Sequence, residues 1–382
     1  MMNWTAIILA VTSFFYSQWT REINLVEPAV QTPARRQNFI PVEGENFKAK
    51  LAQASKLGTA SKQKFWTAYS FDIRPGIAID AEFYNHGNVS TINGVTVDSS
   101  LETRNLGVFL LHEADTITRL ELYNLDRQRE YSGYPVYWLG RAGNQESLNY
   151  LKDMVEQQPT DRVGEHAVQA IAVHDDQRVG AMLKSFVSQS KEVKIRKSAV
   201  FWLGHSAGES SFIADVVRNE NENLEVRKQA AFALGISKDK PALAALQNLY
   251  AAVTPRELKR QIIFATSINE NKDAATDFLI KIADSDNDRE LKKQALFWLG
   301  QKAGERSLKY LSNVVEKEDG ETEVQRQAVF ALSQKPKDEG IPLLIKIAKT
   351  HQKAAVRKQA MFWLGQSDDQ RALEFFKEVL SQ

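Results

Sequence analysis

A ten-residue stretch returns along this chain at an almost constant interval. Ile195-Arg-Lys-Ser-Ala-Val-Phe-Trp-Leu-Gly204 comes back as Val226–Gly235, Leu291–Gly300, Val324–Ser333 and Val356–Gly365, and in worn form as Leu258–Ser267 and Val163–Ala172. Counted on the closing small residue, the steps from Gly140 through Ala172, Gly204, Gly235, Ser267, Gly300 and Ser333 to Gly365 are 32, 32, 31, 32, 33, 33 and 32 residues. A period of this size means one supersecondary unit used many times, each burying its apolar face on its neighbours. Such a stack needs no single central core.

Each copy has the length and pattern of a helix. On a wheel of 100° per residue, Val226, Ala230, Ala233 and Leu234 fall within about 100° of arc, a stripe that faces a core. Gly235 follows the last apolar residue, where a left-handed C-cap is expected. Glu225, Glu257, Glu290 and Glu323 stand at the helix starts, where a carboxylate favours the macrodipole. Between the copies runs a second apolar pattern, as in Ser307–Val315 and Ile341–Ala348, long enough for a helix of about three turns. The unit is helix, turn, helix, short loop.

The apolar–Arg–x–x–Ala–x–x–Ala–Leu–Gly run, kept best at Val226–Gly235, resembles the HEAT repeat, above all the bacterial HEAT-like type also seen in phycobilisome lyases. The resemblance covers about Tyr131–Gln382. It implies a mainly α fold: an α-solenoid, or superhelix, of about seven HEAT-like helix pairs whose second helices line the concave surface. It also implies that the Arg after the first apolar residue bonds the preceding turn. It says little about activity, because a fold does not fix a function.

The rest of the chain changes character by segments. Residues 1–20 carry no charged side chain, and the apolar run Trp4–Tyr16 reads as a signal peptide or an N-terminal anchor. The expected location is therefore periplasmic or extracellular, with membrane attachment through residues 1–20 as the alternative. Residues 21–64, with Pro28, Pro33 and Pro41, read as a linker with one short helix over Phe47–Leu57, ended near Gly58. Residues 65–130 read as a small antiparallel β module. Its strands are expected at Phe71–Arg74, Ile77–Phe83, Gly107–Leu111 and Ile117–Leu125, with a hairpin over Thr91–Val97 turning at Asn93-Gly94. Residues 131–382 form the solenoid. Its first helix is expected to end at Tyr137-Trp-Leu-Gly140, with Pro135 in its first turn, and Gln370–Leu380 closes the array without a second helix.

Catalytic and metal signals are sparse. The chain has no cysteine, which excludes disulfides, thiol catalysis and Cys-ligated metals. There is no nucleophile elbow, Walker loop or His-Glu-x-x-His. His112-Glu113 is a His-Glu pair, and the HEAT-like deoxyhypusine hydroxylase family uses such pairs. That family sets several on its repeats, whereas this pair lies in an expected strand. His166 and His174, near Asp175 and Asp176, read as a solvated pair rather than metal ligands. No catalytic residue, metal or cofactor is expected.

Charge is balanced, with 49 Lys and Arg against 48 Asp and Glu, net +1, so nucleic acid is not an expected partner. The second residue of each basic pair points outward on the wheel: Lys197, Lys228, Arg260, Lys293 and Lys358, with Arg326 in the same register. Glutamates stand three residues ahead of Lys228, Arg260 and Lys293, a spacing that meets on a helix surface. One turn after each cation comes a ring: Phe201, Phe232, Phe264, Phe297, Phe330 and Phe362. The wheel sets this row about 240° from Val226, well away from the core stripe, where the HEAT pattern has a polar residue. Either the rings contact a partner, or they pack on each other and on lysine stems. Trp202, Trp298 and Trp363 replace the usual Ala one position on and are expected to fill the seam between neighbouring helices. The function these features imply is a non-catalytic scaffold that takes a protein or peptide on the concave face, using these phenylalanines and cations. The alternatives are an enzyme of the HEAT-like lyase type, or a structural array whose β module binds the partner.

Overall fold

The computed structural model describes residues 39–79, 90–92, 95–97, 103, 105–157 and 162–381. The expected leader at 1–20 and residues 21–38 of the linker lie outside them. From Phe39 on, sheet and helices form one compact unit.

The β module is a mixed sheet of five strands rather than an antiparallel one. The strands are β1 (Ile40–Pro41), β2 (Phe65–Ser70), β5 (Leu106–Glu113), β6 (Thr116–Asn124) and β7 (Val136–Arg141), in the order β1-β7-β2-β5-β6. β2, β5 and β6 pair antiparallel, whereas β7 runs parallel to both β1 and β2. A separate hairpin pairs β3 (Ser90–Ile92) with β4 (Val95–Val97), Ile92 opposite Val95, so two residues join them, as the Asn-Gly pair requires. Helix α1 (Phe47–Ala60) packs on β2 and β7.

Two expectations fail here for identifiable reasons. Tyr137-Trp-Leu-Gly140 shares its spelling with the repeat but is strand β7, not a helix. Pro135 disfavours helix in the residue before it, and Val-Tyr-Trp favours a pleated surface. Tyr137 and Leu139 then face the helices, while Val136 and Trp138 join Trp66, Phe109 and Tyr131 on the other side. Phe71–Arg74 is not a strand either. β2 stops at Ser70, and the next residues dock on the first repeat instead: Arg74 N–H donates to Val173 O (3.0 Å) and Asp175 N–H to Asp72 O (2.8 Å). Residues 77–79 are irregular, and 80–83 lie outside the described residues.

From Asn144 the chain is helical. First helices are α2 (Asn144–Gln157), α4 (Arg178–Gln189), α6 (Ser210–Arg218), α8 (Ala242–Ala252), α10 (Lys272–Ser285), α12 (Glu305–Glu316), α14 (Lys337–Thr350) and α16 (Gln370–Leu380). Second helices are α3 (Arg162–Ala172), α5 (Val193–Leu203), α7 (Leu224–Ile236), α9 (Arg256–Ile268), α11 (Arg289–Gln301), α13 (Thr322–Ser333) and α15 (Ala354–Gly365). They form seven pairs with α16 packed on the last. Each second helix packs directly on the next along the whole row, the first helices less consistently, so the second helices make the tighter, inner arc. Val226, Ala230, Ala233 and Leu234 are fully buried, as the wheel requires.

The closing glycine does something other than cap. Gly204 has φ −60°, in the right-handed helical region, and Gly235 lies inside its helix. A Cβ on Gly204, Gly235 or Gly300 would stand 2.9 Å from the Cβ of Ala233, Ala265 or Ala331 on the next inner helix. Glycine is needed there for close approach of two backbones, not for a positive φ.

Candidate functional site

The basic pairs of the inner helices split by role. The first member anchors the unit. Arg196 donates to Ser190 O and Lys191 O, Arg227 to Val217 O, Lys292 to Asp284 O and Arg357 to His351 O and Gln352 O. Gln325 does the same to Val315 O and Lys317 O. These carbonyls end the first helices, where a cationic donor satisfies orphan acceptors and the negative end of the dipole.

The second member lies one turn before the aromatic row. Lys228 pairs with Glu225 (2.9 Å), Lys293 with Glu290 (3.2 Å) and Arg326 with Glu323 (2.9 Å). Arg326 also crosses to the next helix, donating to Gln359 Oε1 at 3.2 and 3.1 Å. Lys197, Arg260 and Lys358 have no carboxylate partner among the described residues.

The six phenylalanines lie on the inner helices in register, but they are not an open comb of rings. Phe201, Phe232, Phe264, Phe297 and Phe330 are half-buried, and Phe362 is 55% exposed. Phe201–Phe232, Phe232–Phe264 and Phe297–Phe330 stack with centroids 6.2, 6.0 and 6.1 Å apart. The stack breaks where a tryptophan enters. Phe264 meets Trp298, and Phe330 meets Trp363, each at 5.0 Å and tilted. The row therefore carries runs of three and two stacked rings, with Phe362 beyond the second break. At the sheet end His205 lies against Phe201 (4.7 Å), and Arg74, in the stretch that follows β2, donates to His205 O (2.9 Å).

The histidines are structural. His112 sits in β5 under Phe65 (4.6 Å, stacked), bonded to Thr67 Oγ1 (2.9 Å), while Glu113 points the other way to Lys64 (2.8 Å). Consecutive strand residues face opposite sides, so the pair cannot ligate one ion together. His166 bonds Leu120 O. His174 is not solvated: it is 1% exposed and stacked on Phe71 at 4.0 Å. Burial holds the imidazoles of His112 and His174 down to about 4. Among the described residues no cluster of His, Asp and Glu has the makings of a metal site.

Sequence reasoning missed how His174 is bound. Ser147 Oγ donates to Tyr69 Oη (3.1 Å) and is hydrogen-bonded to His174 Nε2 (2.8 Å), and His174 Nδ1 is bonded to Ala170 O (2.7 Å). This chain joins β2, α2 and the end of α3, all buried. It looks like a nucleophile–base pair, yet every member is inaccessible and already satisfied. Its signal was present at repeat level. The position two past the closing residue also holds Ser237, Asn269 and Lys335, all buried. Lys335 Nζ donates to Leu299 O (3.0 Å), Lys302 O and Ser307 Oγ (2.6 Å), and desolvation lowers it to about 8.

In the outer layer, ion pairs join neighbouring first helices at Arg306–Asp277 (2.8 Å), Lys346–Glu316 (2.6 Å) and Lys349–Glu378 (2.7 Å).

Two layers of antiparallel helix pairs, stacked on one inner arc, define an α-solenoid. Within it, residues 316–382 match the HEAT repeats and residues 226–251 the PBS lyase HEAT-like repeat. The chain thus carries HEAT repeats, with a PBS lyase HEAT-like repeat among them. No curated protein matches it significantly. Among solved structures it is similar to human deoxyhypusine hydroxylase in complex with glycerol, at 14% identity and TM-score 0.31, over 62% of this chain and 90% of that one. It is similar to lipovitellin at 14% identity and TM-score 0.43, over 58% of this chain and 26% of that one. A third is the complex of CpcE and CpcF of phycocyanin lyase from Nostoc sp. PCC7120, at 16% identity and TM-score 0.31, over 60% and 92%.

Proposed function

We propose that this protein is a non-catalytic scaffold that binds a protein segment along the inner face of its solenoid. The observation that carries this is the row of partly open rings on successive inner helices, flanked by cations of which Lys197, Arg260 and Lys358 have no carboxylate partner among the described residues. Rings beside cations suit a segment with both apolar and acidic groups. The rings also hold each other, so part of their role is structural. The test replaces Phe264, Phe297 and Phe330 together by Ser and follows crosslinked partners from native extract alongside helical circular dichroism. Binding is expected to disappear while the helical signal stays. Partner recovery at wild-type yield would move the site elsewhere, with the sheet as first candidate.

Export belongs to the same proposal and rests on the apolar Trp4–Tyr16 run. Mass spectrometry of the native protein should find an N-terminus after about residue 17, as signal-peptide lengths require; an intact Met1 in a cytoplasmic fraction would overturn it.

A further inference from the structure

We infer that the segment bound on this face is acidic, and that its carboxylates dock at Lys197, Arg260 and Lys358. This rests on the reading of the inner row as the partner site and adds the partner's chemistry.

The six cations of the row are not equivalent. Three are compensated by the glutamate one turn before them: Lys228, Lys293 and Arg326. In the repeat of Lys197 that position holds Lys194, and in the repeat of Lys358 it holds Ala355. Arg260 does have Glu257 three residues ahead, but the nearest cation to that carboxylate is Lys228 on the preceding helix, at 4.0 Å. Nor does Arg260 make the bridge to the next helix that Arg326 makes to Gln359. Arg260 and Lys358 are exposed, and Lys197 is half-buried.

Each free cation also lies beside a large apolar wall. Lys197 precedes Phe201 and Trp202, Lys358 precedes Phe362 and Trp363, and Arg260 precedes Phe264, which meets Trp298. A carboxylate held between a cation and such a wall gains more than it would in open water, because the local dielectric is lower.

The spacing separates an acidic polypeptide from a nucleic acid. Phe201 and Phe264 are two repeats apart, Phe264 and Phe362 three. At about 10 Å per helix, the sites stand roughly 20 and 30 Å apart. An extended segment covers those distances in about six and nine residues. A nucleic-acid strand carries a phosphate every ~3.4 Å and needs a continuous basic stripe. Here the intervening cations already face glutamates.

The probe is a fluorescein-labelled peptide of about eighteen residues, with glutamates separated by about six and nine positions and Leu, Phe and Ser between them. Its sibling has Lys for each Glu. Anisotropy of the full chain with each should show binding of the acidic peptide and none of the sibling. Arg260→Gln is expected to weaken the acidic peptide about tenfold, as loss of one charge-assisted contact does. Lys293→Gln should weaken it less, and Arg306→Gln on the outer layer should leave it unchanged. Four results would each overturn the inference: no binding of the acidic peptide by the wild type, equal binding of the sibling, no effect of Arg260→Gln, or tighter binding of a single-stranded oligonucleotide. An acidic peptide indifferent to Arg260→Gln but lost on the triple Phe variant would overturn acid docking alone and leave the aromatic row as the site. A peptide lost on Arg260→Gln but kept by the triple Phe variant would support acid docking and remove the rings from the proposed site.

Discussion

Three junctions of the inner layer are closed by glycine, and three are wedged by tryptophan. Gly204, Gly235 and Gly300 each lie under an alanine of the next helix: Ala233, Ala265 and Ala331. Where the closing residue is Ala172, Ser267 or Ser333, the residue at the alanine's position is Trp202, Trp298 or Trp363. At glycine junctions the backbones come together and the phenylalanines of successive repeats stack near 6 Å. At the Ser267 and Ser333 junctions an indole meets the preceding ring and interrupts the stack. One pair of letters per junction thus sets both how closely two repeats pack and whether the aromatic row is continuous. The lesson concerns glycine: its value here is the missing Cβ, not its freedom of φ.

The most damaging way to test that contrast is to fill one glycine seat and one wedge seat with the same side chain. At Gly235 even a Cβ would meet Ala265 O at 2.7 Å and Ala265 Cα at 2.8 Å. Gly235→Leu should cost about 3 kcal/mol in a denaturant melt, an overpacking loss at the upper end of the usual range. Ser267 is half-buried beside a tryptophan, and Ser267→Leu should cost less than about 1 kcal/mol, as partly exposed positions do. Equal losses would mean that the glycine junctions are no tighter than the wedged ones.

A second effect belongs to the first wedged junction, where His174 follows Ala172. The folded chain protonates this imidazole near pH 4, the unfolded chain near pH 6.5. Between those values the unfolded state holds more protons, so the contribution is whole above pH 6.5 and is lost as pH falls toward 4. Asp175, Asp176 and Arg178 are the charged groups nearby, and Asp176 is held down to about 2 by Arg178, so it titrates below this window. From pH 7 to pH 5 the wild type should lose about 2 kcal/mol more than His174→Gln. Parallel slopes for the two proteins would show that the Tyr69–Ser147–His174 chain does not require a neutral ring. His112, buried near the same value, remains in both proteins and cancels.

Much of this was legible in the sequence. The period, the buried stripe at Val226, Ala230 and Leu234, and the register of the six phenylalanines follow from local spacing alone. What was not legible depends on a neighbour some thirty residues away. Gly235 reads as a cap until Ala265 is known to lie over it. Trp298 reads as a seam filler, but its effect on Phe264 needs the stack. Tyr137-Trp-Leu-Gly140 reads as a repeat because four letters match. Only pairing with β2 and β1 makes it a strand, and propensity is a weak guide against such a context. The site cations were legible as a row; which of them are compensated was half legible, through Lys194 and Ala355, and half a matter of where Glu257 turns.

The smallest expected effect bears on what the wedge costs. Position nine of the repeat is leucine at Leu203, Leu234, Leu299, Leu332 and Leu364, but threonine at Thr266, directly before Ser267. Thr266 is fully buried, and its Oγ1 finds no hydrogen-bond partner among the described residues; nor does the indole N–H of Trp298 across the junction. A buried hydroxyl without a partner costs free energy that an isosteric methyl does not. Thr266→Val should therefore raise stability by about 1 kcal/mol, whereas the same exchange at a bonded threonine lowers it. The fully buried Thr67, bonded to His112, is the internal comparison, and Thr67→Val should be destabilising. If Thr266→Val is destabilising as well, the hydroxyl has a partner in solution, and the wedged junction is a satisfied contact rather than a strained one.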